Sequence, residues 1–303
     1  MSDNKCLFLG SKEIGAKCLS VIKQISPESI VACITIDDRN DTRSCLDEFI
    51  NLTSSIPIHV LKHPSELSNL IIAYQPDLVF VCGWYWIIRK ELLSVPKHGF
   101  VGFHFSLLPK YRGGAPVVWA IMNGEQETGF SLYRFEDGID TGPVFAQDKV
   151  NISSDNYVNE VLLDIEKKAL SSLENKYVQL LHGELSPKPQ IGIPTYCAQR
   201  LPCDGKIDLA LTQHQIYNFI RAQSCPYPGA FVYMQNQKLM IWRAELDERT
   251  YYCTPGQIVA FENDNALVGC GDNKVIVLTD MQIEGDNTRA TPKEIIKTIN
   301  TRL

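Results

Sequence analysis

The sequence predicts an α/β protein: a mostly parallel, doubly wound sheet with helices on both faces, followed by a smaller β-rich part. Three observations lead there. Short apolar, β-branched runs alternate with helical stretches across residues 6–105, the pattern of a parallel sheet built from βα repeats. Residues 183–196, GELSPKPQIGIPTY, hold three prolines and two glycines, a linker composition. Beyond them one helix is followed by short strands separated by turn signals, the pattern of a small barrel or open sandwich.

In order, CLFLG (6–10) reads as a short buried strand, and a polar turn over Ser11–Glu13 leads into a helix from Ile14 to Ile25. IVACITI (30–36) and IHVL (58–61) are the next strands. Pro64 suits the first turn of a helix running to Tyr74. DLVFVC (77–82) and GFVGFHF (99–105) are the fourth and fifth strands. ETGFSLYRFEDGIDTGPVFAQ (127–147) reads as two strands turning near Asp137-Gly138. Val161, Leu162, Ile165, Ala169 and Leu173 keep helical spacing within a long helix over 156–181. Past the linker, a helix is expected over 212–222 and strands at AFVYM, KLMIWRAEL, GQIVAF, ALVGC and KVIVLTDMQI. The resulting division is 1–190 for the first domain, 191–204 for the linker and 205–303 for the second domain.

The 303 residues are 45% hydrophobic and 21% charged, with a net charge of −6. Such a balance gives no broad phosphate-binding surface, so no nucleic-acid partner is expected. Ten cysteines include no Cys-x-x-Cys pair, which argues against zinc, and Cys6 and Cys82 sit in apolar runs as inert thiols. The expectation is a reduced, cytoplasmic protein. The N-terminus lacks the basic and apolar regions of a signal peptide, and no apolar run reaches the ~18 residues of a membrane span, so no membrane partner is expected.

GFHFSLLPKYRGG (102–114) places His104 at the end of a buried strand. In a doubly wound sheet such carboxyl ends meet ligands. A lone histidine there is more often a satisfied structural residue than a catalyst. Ser106, two residues on, projects to the same side of an extended backbone. DGIDTG supplies Asp140, and a carboxylate beside an imidazole fixes its tautomer and stabilises its charged form. Spacing alone does not say which reaction the pair would serve.

FHFSLLPKYRGGAPVVWAIMNGEQETGFSLYRFEDGIDTG resembles the formyltransferases that use N10-formyltetrahydrofolate: methionyl-tRNA formyltransferase, glycinamide ribonucleotide transformylase and the nucleotide-linked amino-sugar N-formyltransferases. The family pattern is Asn-x-His-x-Ser-Leu-Leu-Pro with a later catalytic Asp in a D-x-G turn. His104, Ser106, Leu107, Leu108 and Pro109 match it, as do Asp140 and Gly142. CDGKID and NFIRAQSCPYPGAFVYMQNQKLMIWRAE resemble the start of that family's C-terminal domain. The resemblance implies a Rossmann-like catalytic domain and an OB- or barrel-like C-terminal one. It implies His104 as the proton shuttle, Asp140 as its orienting partner and Ser106 as a positioning group. N10-formyltetrahydrofolate would be the co-substrate, with no metal. Its pterin would lie against Tyr85, Trp86, Ile87 and Ile88 of GWYWII (83–88) and against Phe135–Asp140, including Phe135 and Asp137. An exposed helix end packing on the second domain is the other reading of GWYWII.

One departure stands out: the family Asn, taken to hydrogen-bond the formyl oxygen, falls on Gly102. Losing such a donor typically costs ~10²–10³ in rate. A replacement donor, a slow enzyme and a site that binds without chemistry are all open. The resemblance also ranks the acceptors. LLPKYRG and Trp119-Ala120 are similar to the amino-sugar branch, and the Asp37–Phe49 stretch is not the basic insertion expected for tRNA. A dTDP- or UDP-linked amino sugar is the first expectation, with Lys110, Tyr111 and Arg112 near its sugar or diphosphate and a place in lipopolysaccharide or glycan biosynthesis. Methionyl-tRNA formyl transfer and a non-catalytic folate or nucleotide-sugar binding protein are the alternatives. Acceptor binding, homodimerisation and a separate ligand remain open as roles of the C-terminal domain.

Overall fold

The computed structural model describes residues 4–41 and 43–303. Residues 1–3, part of the N-terminal reading above, and Thr42, inside the Asp37–Phe49 stretch, lie outside the described residues. In chain order the first elements are β1 (Cys6–Gly10), α1 (Lys12–Ile25), β2 (Ile30–Ile36), α2 (Leu46–Leu52), β3 (Ile58–Leu61), α3 (Leu67–Tyr74), β4 (Leu78–Cys82), α4 (Lys90–Leu93) and β5 (Phe100–His104). Then come β6 (Arg112–Gly113), α5 (Pro116–Met122), β7 (Glu127–Arg134), β8 (Val144–Asn151), α6 (Val158–His182) and β9 (Tyr196–Cys197). The chain finishes with α7 (Gln213–Gln223), β10 (Ala230–Met234), β11 (Gln237–Leu246), β12 (Ile258–Glu262), β13 (Asn265–Gly269), β14 (Val275–Ile283) and α8 (Pro292–Ile295).

The chain forms two compact units. The first comprises residues 1–113, 129–150 and 164–196. Its seven-stranded sheet has the order β3-β2-β1-β4-β5-β7-β8. The strands from β3 to β5 run parallel, and β7 runs antiparallel to β5. All five residues of β1 and of β4 are buried, as expected for central strands covered on both faces. Leu7, Leu9, Ile34, Val79, Val81 and Phe100 share one apolar core. Helix α1 contributes Ala16, Cys18, Leu19 and Ile22, one stripe at helical spacing. The helix starts at Lys12, earlier than the polar turn suggests.

The strand order reverses between β1 and β4. There Gly83 turns the chain off β4 at φ +69°, where a Cβ would stand 1.9 Å from the Ser11 carbonyl oxygen. Only glycine allows that approach.

The second unit comprises residues 114–128, 151–163 and 197–303. Its five-stranded antiparallel sheet has the order β10-β11-β14-β13-β12. Alternate residues such as Val232, Leu239, Ile241, Val268, Ile276 and Leu278 point into one core, joined by Ile216 and Ile220 of α7. Thr212 caps α7 by accepting a hydrogen bond from the Gln215 backbone N–H. Tyr157 ties its segment to β11: its hydroxyl meets both the amide and the carbonyl of Ala244. Among the described residues, no helix is long and apolar enough to cross a membrane, and no group of three or more His, Cys, Asp or Glu is placed to hold a metal ion.

Candidate active site

Strand β5 presents His104 at its carboxyl end, in the middle of the first sheet. The ring is 8% exposed. Its Nδ1 lies 3.4 Å from Asp140 Oδ2, and its Nε2 lies 2.7 Å from the carbonyl oxygen of Tyr111. Each ring nitrogen thus faces an oxygen acceptor, an arrangement that a ring protonated on both nitrogens satisfies completely. Asp140 sits at φ +50°, in the left-handed region that a non-glycine residue occupies only when its surroundings hold it. Its carboxylate accepts 2.7 Å from the Gly113 amide on Oδ2 and 2.6 Å from the Tyr133 hydroxyl on Oδ1. Ser106 is 1% exposed and donates to the Lys110 carbonyl. Its own carbonyl accepts from the Ser131 hydroxyl. Its proton is committed to shaping the loop.

Gly102 lies two residues before His104 on the same face of β5. No side chain fits there: a Cβ would be 2.2 Å from the Val81 carbonyl oxygen and 3.2 Å from Phe135 Cε1. Across the antiparallel pair, Gly102 stands opposite Tyr133 and His104 opposite Ser131. Tyr133 is buried and stacks on Phe135, with ring centroids 4.8 Å apart. Burial, and then the adjacent Asp140 carboxylate, push the Tyr133 phenol well above its ordinary range, so it stays a donor. Tyr133 carries no sequence motif. It becomes visible only once the register of β7 against β5 is known.

The Lys110–Arg112 segment is distributed differently from the expectation of three residues facing an acceptor. Lys110 is exposed. Tyr111 turns at φ +58° and gives its carbonyl to His104. Arg112 is engaged by its own chain: Nε and Nη2 donate to Gln190 Oε1, and Nη1 donates to the Tyr196 hydroxyl. The Gln190 amide in turn donates to the carbonyls of Asp140 and Gly142. One side chain thereby joins the loop after His104 to the loop holding Asp140. Lys188 pairs with Val144 through both backbone hydrogen bonds, and Thr195 pairs with Pro109, Tyr111 and Arg112. Residues 188–196 therefore run as a hydrogen-bonded strap along these loops, including part of the stretch read as linker. No local signal marks Gln190, because its partners lie 48–78 residues away.

The GWYWII loop alternates. Trp84, Trp86 and Ile88 pack on the sheet core together with Phe135, and the indoles of Trp84 and Trp86 meet edge to face at 5.4 Å. Tyr85 lies under the Lys12 ammonium, 5.3 Å from its ring centre, and Ile87 is 88% exposed. Trp86, Ile88 and Phe135 thus pack against one core, Tyr85 meets the Trp86 ring edge to face at 6.3 Å, and Ile87 projects outward. The sequence reading missed Trp84, which the alternation of an extended loop could have indicated. The Trp84 indole N–H is buried without a hydrogen-bond partner. An unfilled donor beside two aromatic rings and an aliphatic side chain suits a flat, nitrogen-rich heterocycle. Asp137 is exposed and paired with Lys90 at 2.5 Å.

A doubly wound sheet carrying this His–Asp pair at a strand end has counterparts among known proteins. Residues 53–174 match the family described as Formyl transferase, and residues 201–299 the one described as Formyl transferase, C-terminal domain. The chain belongs to this formyl transferase family and is an N-formyltransferase. It is 28% identical to the methionyl-tRNA formyltransferase of Pelotomaculum thermopropionicum over 95% of this chain and 96% of that one. Among solved structures, it resembles the sugar 3N-formyl transferase WlaRD, crystallised with dTDP and 5-N-formyl-THF (TM-score 0.68, 21% identity, 94% and 100% of the two chains). It also resembles HypX from Aquifex aeolicus in complex with tetrahydrofolic acid (TM-score 0.67, 15% identity, 97% of this chain). The chain spans about half the length of HypX, 47%. These structural likenesses are likenesses of fold.

Proposed function

We propose that this protein transfers the formyl group of N10-formyltetrahydrofolate to the amine of a dTDP- or UDP-linked amino sugar. The observation that carries the transfer chemistry is the buried His104–Asp140 pair, with Asp140 held on both oxygens. The attacking amine forms a bond to the formyl carbon, the bond from that carbon to N10 breaks, and the proton lost by the amine ends on N10. His104 carries that proton and, when charged, faces the developing oxyanion. Proton exchange at Nε2 requires the Tyr111 carbonyl to move away. Trp84, Trp86, Ile88 and Phe135 form the wall for the pterin.

The Asp37–Phe49 stretch supports a small acceptor. It holds five acidic residues and two arginines. Arg39 pairs with Asp37, Arg43 with Asp41, and Lys12 of α1 with Asp38 and Asp41. A polyanion meets a net negative surface there, and phosphate contacts depend on unopposed cations. Methionyl-tRNA is the second reading, favoured by the full-length relatives that bear that name and share both family regions.

The test is formyl transfer from N10-formyltetrahydrofolate to a panel of dTDP- and UDP-linked amino sugars, read by mass spectrometry, with methionyl-tRNA as a parallel acceptor. A gain of one formyl group on a sugar is the expected result. Transfer to methionyl-tRNA alone selects the second reading, and no product on any amine rejects both.

A further inference from the structure

We propose that Tyr133 is a positioning residue of formyl transfer: its hydroxyl fixes the Asp140 carboxylate against His104, in a site where Gly102 leaves room for the Tyr133–Phe135 stack. The inference rests on the formyl-transfer reading of the His104–Asp140 pair and adds a member to it.

The geometry leaves little choice. Paired residues of an antiparallel ladder share a face, so a side chain at 102 would be a direct neighbour of Tyr133. The position a Cβ would take is instead bounded by Val81 and by the Phe135 ring, which stacks on Tyr133. A Cβ at 102 is excluded first by the Val81 carbonyl oxygen at 2.2 Å, and it would also press on Phe135 Cε1 at 3.2 Å. The asparagine expected there is a polar group aimed at the reacting centre. Tyr133 is the polar group that this chain puts in the adjoining place, but it acts differently. A phenol has one proton, and here that proton goes to Asp140 Oδ1 at 2.6 Å. Tyr133 therefore does not donate to the formyl oxygen. It acts through Asp140.

Asp140 needs such a hold. Its backbone is in the left-handed region, and rotation of its carboxylate would release Nδ1 of His104. Gly113 secures one oxygen and Tyr133 the other. The titratable side chains seen against the carboxylate are His104 from β5 and Tyr133 from β7. The Tyr133 phenol, raised by burial and by Asp140, remains protonated over the working pH range. A hydrogen-bond donor disperses the charge of a carboxylate, so removing the hydroxyl leaves more of that charge for the imidazolium.

The test is Tyr133→Phe, which keeps the ring stack. The expected result is a fall in kcat of about tenfold or more, the scale of a lost hydrogen bond to a charged group. KM for both substrates should stay within about twofold, and the acid limb of the kcat profile should move to higher pH. A purely structural role would lower the melting temperature and leave that limb in place. Titration of the His104 ring by NMR of isotope-labelled histidine gives a readout that needs no turnover, and its midpoint should rise in the variant. An unchanged midpoint, or an active variant with native kcat and an unmoved acid limb, overturns the proposal. If the native protein formylates no amine, the functional reading fails, and the NMR titration still decides the role of Tyr133 toward Asp140.

Discussion

His104 and Asp140 are arranged so that neither can be replaced by a neighbour. Ser106 is spent on the Lys110 carbonyl, and Tyr133 and Gly113 already serve Asp140. His104→Ala and Asp140→Asn should each lower kcat by ~10²–10⁴, the usual contribution of general acid–base catalysis. Their melting temperatures should stay near that of the native protein, and near-native turnover in either variant would contradict the assigned roles. Gly102 makes the opposite kind of prediction. A Cβ 2.2 Å from the Val81 carbonyl must push β4 and β5 apart, so Gly102→Ala should cost about 1–3 kcal/mol, as overpacking does. Gly102→Asn should melt lower still and should not gain activity. An Asn variant that is both stable and faster would show that the strand pair opens to admit it.

Among the elements, the strap over residues 188–196 sets the geometry of the site without contributing a reactive group. Its Gln190 accepts from Arg112 and donates to the carbonyls of Asp140 and Gly142, closing a bridge between two loops that are far apart in sequence. Without it, Arg112 loses a partner and the left-handed Asp140 loses a restraint on its carbonyl. Gln190→Ala should reduce kcat by about tenfold and increase protease cleavage within 188–196, because local opening follows the loss of local hydrogen bonds. The rest of the sheet should hold, so the global melt should move little. Cleavage and kcat both at native values would show that the strap is secured by its backbone pairing alone.

Across the whole molecule, the ten thiols sort by burial. Desolvation pushes Cys6 up to about 11 and Cys270 up to about 12, and Cys33 and Cys18 are raised too. A thiol held above its ordinary value is not ionised at neutral pH, and these four are buried as well. Cys203 and Cys225 are exposed. A bulky thiol reagent at neutral pH should therefore label Cys203 and Cys225 first and reach Cys6, Cys18, Cys33 and Cys270 only on unfolding. Early labelling of the buried set, followed by peptide mass mapping, would show that the sheet core opens.

The sequence by itself determined the main strands and helices and singled out the His104–Asp140 pair. The runs 30–36, 58–61 and 230–234 became strands with those bounds, because apolar, β-branched character and flanking turn residues are local properties. His104 and Asp140 stand in contiguous motifs and could be singled out there. Tertiary structure alone decided what surrounds them. That Tyr133 meets Asp140 depends on the register of β7 against β5. That Gly102 tolerates no side chain depends on a carbonyl of β4. That Arg112 is tied to Gln190 depends on a strap which follows α6 in the chain and returns to the site. Each is a contact between distant segments, set by strand register and side-chain packing, and neither leaves a trace in the composition or spacing of the residues that make it.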